Sequence, residues 1–218
     1  MKQLVMPLLA MVLSVSAVKA QTAKDVFDRS VKITYLGVDF TKTKVIGDAG
    51  LKTDDVVDHK IRSLNQKLVN EPKKFPLAEA FGKREEVSTD IGPVNKRNDK
   101  IDPDKLLSDN SDDYQTMKPE DVTSLVSGFD FAGKTGIGLL FVMEGINKTK
   151  REVSVYVTLI DMKSKKVLFT DRVEGAFNKS AFGFTGFTVD NVWLGGLANV
   201  IKEIKDKKYK DWKSTYGG

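Results

Sequence analysis

The stretch Thr135–Phe177, TGIGLLFVMEGINKTKREVSVYVTLIDMKSKKVLFTDRVEGAF, is the longest β-patterned run in the chain and decides the fold. It divides into three strands. Leu139 to Met143 is apolar at every position, as in a strand covered on both faces, whereas Val153, Val155, Val157 and Leu159 alternate with Ser154, Tyr156 and Thr158. The second strand therefore has one wet face, or one face covered by something smaller. The segments between them, Asn147–Arg151 and Lys163–Lys166, have the length and polarity of antiparallel connections.

Working outward, Val31 to Gly47 reads VKITYLGVDFTKTKVIG, a strand bulged or kinked at Gly37 that joins the same sheet. Thr53, Asp54 and Asp55 cap a helix whose stripe is Val57, Ile61, Leu64 and Leu68, ending before Pro72. Residues 88–117 are dominated by Asp, Asn, Ser, Pro and Lys and predict a long surface excursion. Lys118-Pro119-Glu120-Asp121 opens a short helix through Ser127. Past the three strands, Val189, Val192, Trp193, Leu197, Val200, Ile201 and Ile204 make the strongest amphipathic helix, and the Lys-rich tail beyond it reads as a solvated end. The expected fold is α+β, a two-layer α/β arrangement: a mainly antiparallel or mixed sheet of four to six strands, with helices near 54–69 and 189–205 packed on one face.

The first twenty residues run from Met1-Lys2-Gln3 through an uncharged apolar stretch to Ala17-Val18-Lys19-Ala20, the pattern of a signal peptide cut after Ala20. Residues 21–218 then form one domain. The apolar run is about 15 residues, short of the roughly 20 that span a bilayer. There is no Cys in the chain, which excludes a lipoprotein anchored at a signal-peptide cysteine, disulfides, thiol nucleophiles and Cys/His zinc sites. Cleavage removes Lys2 and Lys19 and leaves 33 basic against 30 acidic residues, a charge of +3. Such a balanced surface gives no reason to expect nucleic acid as a partner.

Motifs that carry chemistry are few. Gly128-Phe129-Asp130-Phe131-Ala132-Gly133-Lys134-Thr135 satisfies the phosphate-loop pattern GxxxxGK(S/T), but a phosphate loop follows a strand and opens a helix. Here a helix precedes and a strand follows, so Gly128, Gly133, Lys134 and Thr135 read as a false match and no nucleotide or other cofactor is expected. His59, the one histidine, points away from its helix's apolar stripe. Glu144 closes an apolar strand and would make a general acid if desolvated, though its place suggests a wet strand end paired with a neighbour such as Arg151. Asp109 to Asp113 lacks the Gly and distal Glu of a calcium loop, and no metal site is expected. Asn147 and Asn178 open N-glycosylation sequons on predicted loops. Phe182, Phe184 and Phe187, separated by glycines, and Trp193 are the candidates for partner contact, set against their packing under the last helix.

Leu159-Ile160-Asp161, a short polar turn and Lys166-Val167-Leu168, followed by a long amphipathic helix, resemble the sheet of the curli-secretion lipoprotein and of the amino-terminal domain of TolB-like periplasmic proteins. The usual Thr-Gly of that turn is replaced by Ser164-Lys165. The ending also resembles small secreted proteins of Bacteroidota-like bacteria; the match covers about the last 85 residues and rests on structural motifs. It implies an envelope location, periplasmic or secreted. The expected function is that of an exported, non-enzymatic envelope protein that binds a macromolecular partner, an envelope protein or glycan, or serves in an assembly. The alternative is a carboxylate-based hydrolase with its cleft beside residues 88–117.

Overall fold

The computed structural model describes residues 20–82, 87–177 and 188–218. Seven strands form one sheet: β1 (Ile33–Asp39), β2 (Lys44–Ile46), β3 (Ser88–Thr89), β4 (Leu107–Ser108), β5 (Ile137–Asn147), β6 (Glu152–Asp161) and β7 (Lys166–Ala176). β5 lies at the centre. Along one side it takes β1 over Ile137 to Val142 and then β2 over Gly145 to Asn147, both parallel, so that β1 and β2 are two pieces of one strand position broken at Phe40–Thr43. β3 and β4 pair in parallel outside β1 and β2 respectively. On its other side β5 is followed by β6 and β7, each antiparallel to its predecessor.

This overturns the expected α+β arrangement, a mainly antiparallel sheet of four to six strands with helices on one face. Among the described residues the strands are seven, β1 to β4 join through parallel pairings alone, and helices cover both faces of what is an α/β fold. The physical reason lies in the connection: some ninety residues separate β2 from β5, enough for the helical crossover that parallel neighbours require. Register shifts at Tyr35/Gly37, Met143/Gly145 and Leu159/Ile160 add bulges that curl the sheet.

The first face carries the larger core. Against Phe141, Val155 and Val157 lie α2 (Ile61–Asn70), α3 (Leu77–Ala80), α6 (Val189–Glu203) and α7 (Tyr209–Tyr216), while α1 (Thr53–Asp55) leads into α2 with no buried residue of its own. α1 and α2 are joined by a π-helical turn, Val56–Lys60, in which the Ile61 N–H donates to the Val56 carbonyl, and this places Val56 rather than Val57 in the core. A second π turn, Ile204–Lys208, joins α6 to α7, so the helix runs on past the expected end near residue 205. Tyr209 and Trp212 pack with Phe81 and Phe169, and the Trp212 Nε1 donates to Asp171 Oδ2 at 2.8 Å. The tail is therefore held on β7.

The second face is smaller. Leu36, Leu140, Val142, Tyr156 and Ile160 meet α4 (Gly92–Asn98), α5 (Pro119–Ser127) and the rings of Phe129 and Phe131. Ser154 and Thr158 are fully buried there, so β6 has no wet face. Among the described residues no helix is long and apolar enough to cross a membrane.

Candidate functional site

β3 pairs with β1 at Thr34 and Tyr35, and among the described residues the rest of that edge has no strand. Two asparagines take its place. The Val38 N–H donates to Asn65 Oδ1 at 2.7 Å and Asn65 Nδ2 donates back to the Val38 carbonyl at 3.0 Å. Asn98 Nδ2 donates to the same carbonyl at 2.9 Å, and its Oδ1 accepts the Phe40 N–H at 2.9 Å. Buried backbone groups are thereby satisfied without a ladder. Gly37 makes this possible: it sits at φ +102° and a Cβ there would lie 3.0 Å from Asn65 Oδ1. Asn65 comes from α2 and Asn98 from α4, so the two helices close around the edge from opposite faces, joined outside by Arg62 and Asp99 at 2.7 Å.

Just beyond Asn98 the strand position breaks. Thr43 returns its N–H to the Phe40 carbonyl at 3.0 Å and its hydroxyl to the Met143 carbonyl at 2.7 Å, and β2 resumes. A cleft of about 500 Å3 opens over this break, lined by Phe40, Thr41 and Thr43, by Lys96, Arg97 and Lys100 of α4 and its C-terminal turn, by Lys105, and by Gly128 and Asp130 after α5. It lies at the carboxyl end of β1, the place where open parallel sheets receive ligands.

Its electrostatics are set by one buried carboxylate. Asp39 is 0% exposed; Oδ2 accepts from Arg97 Nε at 2.8 Å, and Oδ1 accepts the Thr41 N–H at 2.8 Å together with the Thr41 hydroxyl. The Arg97 guanidinium carbon lies 4.5 Å over the Phe129 ring, which fixes its plane. Lys105 pairs with Asp102 at 2.9 Å; the hydrogen bond between them raises the lysine's pKa and lowers the carboxyl's. Lys96 and Lys100 have no ionic partner among the described residues.

A second buried carboxylate–arginine pair sits on the same face of the sheet. Glu144, 1% exposed, accepts from Arg172 through both oxygens at 2.8 and 2.9 Å, from Ser154 Oγ at 2.7 Å and from the Met117 N–H at 2.7 Å. The Met117 carbonyl in turn accepts from Arg172 Nη2 at 2.6 Å and from the Tyr156 hydroxyl at 2.8 Å. Glu144 is thus neither at a wet strand end nor paired with Arg151: β7 supplies the cation, and the pair straps Met117 across the sheet.

The other residues singled out by the sequence fall elsewhere. Trp193 is fully buried, stacked on Phe40 with ring centroids 5.3 Å apart, which removes it as a surface contact. Phe182, Phe184, Phe187 and Asn178 lie outside the described residues. Gly128 caps the C-terminus of α5, Lys134 pairs with Asp90, and after Thr135 and Gly136 the chain enters β5. Gly133 stands in the connecting loop at φ +74°. Asn147 is buried, with Oδ1 accepting the Lys150 N–H at 2.9 Å, so its side chain is committed to the turn. His59 is exposed. Among the described residues no cluster of metal-ligating side chains occurs. Sequence reasoning missed Asp39, Asn65, Arg97 and Asn98. A polar residue inside an apolar stripe, Asn65 between Leu64 and Leu68, was the available signal; Arg97 had none. Comparison with family models, with curated proteins and with solved structures finds no match to this chain.

Proposed function

We propose that the protein is an exported, non-enzymatic binding protein of the cell envelope, and that its working surface is the cationic cleft at the β1–β2 break, which takes an anionic group of a macromolecular partner. The observation that carries this reading is the convergence of Lys96, Arg97, Lys100 and Lys105 on one cleft at the end of a parallel strand, against Asp102 and Asp130 in its lining. Lys96 and Lys100, without an ionic partner among the described residues, raise the local concentration of anions in this concavity and strengthen their binding. A carboxylate hydrolase has less support. Asp39 and Glu144 each have both oxygens engaged by donors, which leaves neither free to take a proton or attack a substrate.

The test is titration of the mature chain with polyphosphate and polyglutamate at low ionic strength. Binding that falls steeply with salt, and drops by about tenfold or more in the Lys96→Glu/Lys100→Glu double variant, is expected. Failure to bind either polymer would overturn the reading. Export is checked separately by fractionating cells that express the full chain and sequencing the amino terminus, expected at Gln21.

A further inference from the structure

We infer that the group received by the cleft is a phosphoryl dianion docked end-on against the open edge of Arg97, with Gly128 as the position that makes room for it. This rests on the cleft being the binding surface. A guanidinium carries five N–H donors in one plane. In Arg97 the side formed by Nε and Nη2 is turned to Asp39 Oδ2, at 2.8 Å, and to Thr41 Oγ1, at 3.5 Å. Nη1 has no acceptor among the described residues, so Nη1 and the second Nη2 hydrogen form a fork facing away from Asp39. Such a fork matches two oxygens of one anion, and its orientation is fixed in advance by the buried carboxylate on one side and the Phe129 ring below.

Gly128 marks where the anion sits. Its φ of −82° and ψ of 0° are helical, so the backbone makes no demand for glycine there. A Cβ would meet only the Leu125 carbonyl oxygen at 3.5 Å and Arg97 Nη1 at 3.6 Å, both ordinary contacts. What the missing side chain leaves clear is the space beside Nη1, in the wall of the cleft. The charge balance selects the anion. With Arg97 held by Asp39 and Lys105 by Asp102, Lys96 and Lys100 are the lining cations without an ionic partner among the described residues, and two such charges beside the fork suit a dianion better than a single carboxylate.

The experiment titrates the mature chain with inorganic phosphate, glycerol phosphate and acetate, following the amide resonances of residues 96–100 and 128–130. Phosphate is expected to bind about tenfold or more tightly than acetate, the equivalent of one charge-assisted hydrogen bond. Glycerol phosphate binding as well as phosphate assigns the site to a phosphoryl group borne on a larger molecule; binding of free phosphate alone assigns it to the ion, and either outcome keeps the docking. Gly128→Val, which blocks the space, and Arg97→Lys, which keeps the charge and removes the fork, should each weaken phosphate by about tenfold with the fold intact by circular dichroism. Equal affinities in wild type and both variants, with binding still lost in Lys96→Glu/Lys100→Glu, would overturn end-on docking while leaving the cationic cleft standing. No response to phosphate or to the polyanions would overturn both.

Discussion

Asp39–Arg97 and Glu144–Arg172 are the same chemistry put to different ends. Both carboxylates are buried on the edge or face of one sheet, both bind an arginine Nε at 2.8 Å, and in both the guanidinium lies near an aromatic ring, Phe129 or Tyr156. The Glu144 pair is closed. Its guanidinium donates through Nη2 to the Met117 carbonyl as well as to Glu144, so that among the described residues Nη1 alone is left over and no two-nitrogen fork remains, and the carboxylate accepts four donors. The Asp39 pair is open, because Arg97 keeps a fork turned to the cleft. A closed pair is a clamp that fixes a backbone crossing; an open pair is a rigid donor awaiting an acceptor. Burial of a carboxylate is therefore no indication of catalysis in this molecule, and what separates the two pairs is whether a two-nitrogen fork is left over.

The largest expected effect lies on the closed side. Arg172→Ala strands Glu144 and the Met117 carbonyl and should cost about 3 kcal/mol in urea unfolding, the low end for a broken buried pair because the guanidinium is 31% exposed. Phosphate affinity should not change. Replacing both partners, Glu144→Leu with Arg172→Met, should recover most of that loss, and a double variant as unstable as the single one would break the comparison. On the open side the corresponding support is Asn98. Asn98→Ala leaves the Phe40 N–H without its acceptor and should cost about 2 kcal/mol, and here phosphate affinity should fall as well, since Phe40 lines the cleft. An Asn98→Ala protein that binds normally would separate the edge from the site.

Smaller again is Tyr156, which belongs to the closed pair. Tyr156→Phe removes one hydrogen bond to the Met117 carbonyl and should cost about 1 kcal/mol at neutral pH. Its phenol is shifted up from its ordinary value, chiefly by burial. A group whose folded pKa is raised supports the fold fully below its unfolded pKa and loses that support as pH rises, because the unfolded chain releases the proton first. Melting temperature should therefore drop above about pH 10, and less in Tyr156→Phe than in wild type; equal slopes would mean that this hydroxyl titrates as though free.

What the sequence disclosed depended on period. The strands from Gly136 onward were legible because alternation and turn polarity are local, and non-glycine residues at positive φ, Arg151 and Lys165, close turns where charge clusters had already placed them. The parallel partners were not legible, since nothing in VKITYLGVDFTKTKVIG states the direction of its neighbour. Both π turns defeat a helix reading in the same way: the inward-facing series steps by five from Val56 to Ile61 and from Ile204 to the half-buried Tyr209, so a spacing of three and four points to Val57 in one helix and to Lys207 and Lys208 in the other. The expected partner surface at Phe182 to Phe187 stands outside the described residues, and Trp193 proved to be core. The cleft was hidden because its parts lie in strand, helix and loop far apart in the chain, within or beside the span whose Asp, Asn and Lys content read as a surface excursion.

The smallest effect has the opposite sign and tests whether the open pair's surroundings serve binding. Lys96 stands in the last turn of α4 and Lys100 in the turn that follows, both lining the cleft, and like charges four residues apart repel by about 0.2–0.5 kcal/mol at low salt. Lys100→Gln should therefore raise the melting temperature slightly in dilute buffer, and the gain should vanish at about 0.5 M salt, where the screening length falls to a few ångströms. Phosphate should stabilise the wild type by mass action and the variant less. A cation cluster kept at a cost to the fold has its justification in a ligand. A Lys100→Gln protein that melts lower than wild type, and gains as much from phosphate, would show these lysines to be structural and reduce the open pair to a second clamp.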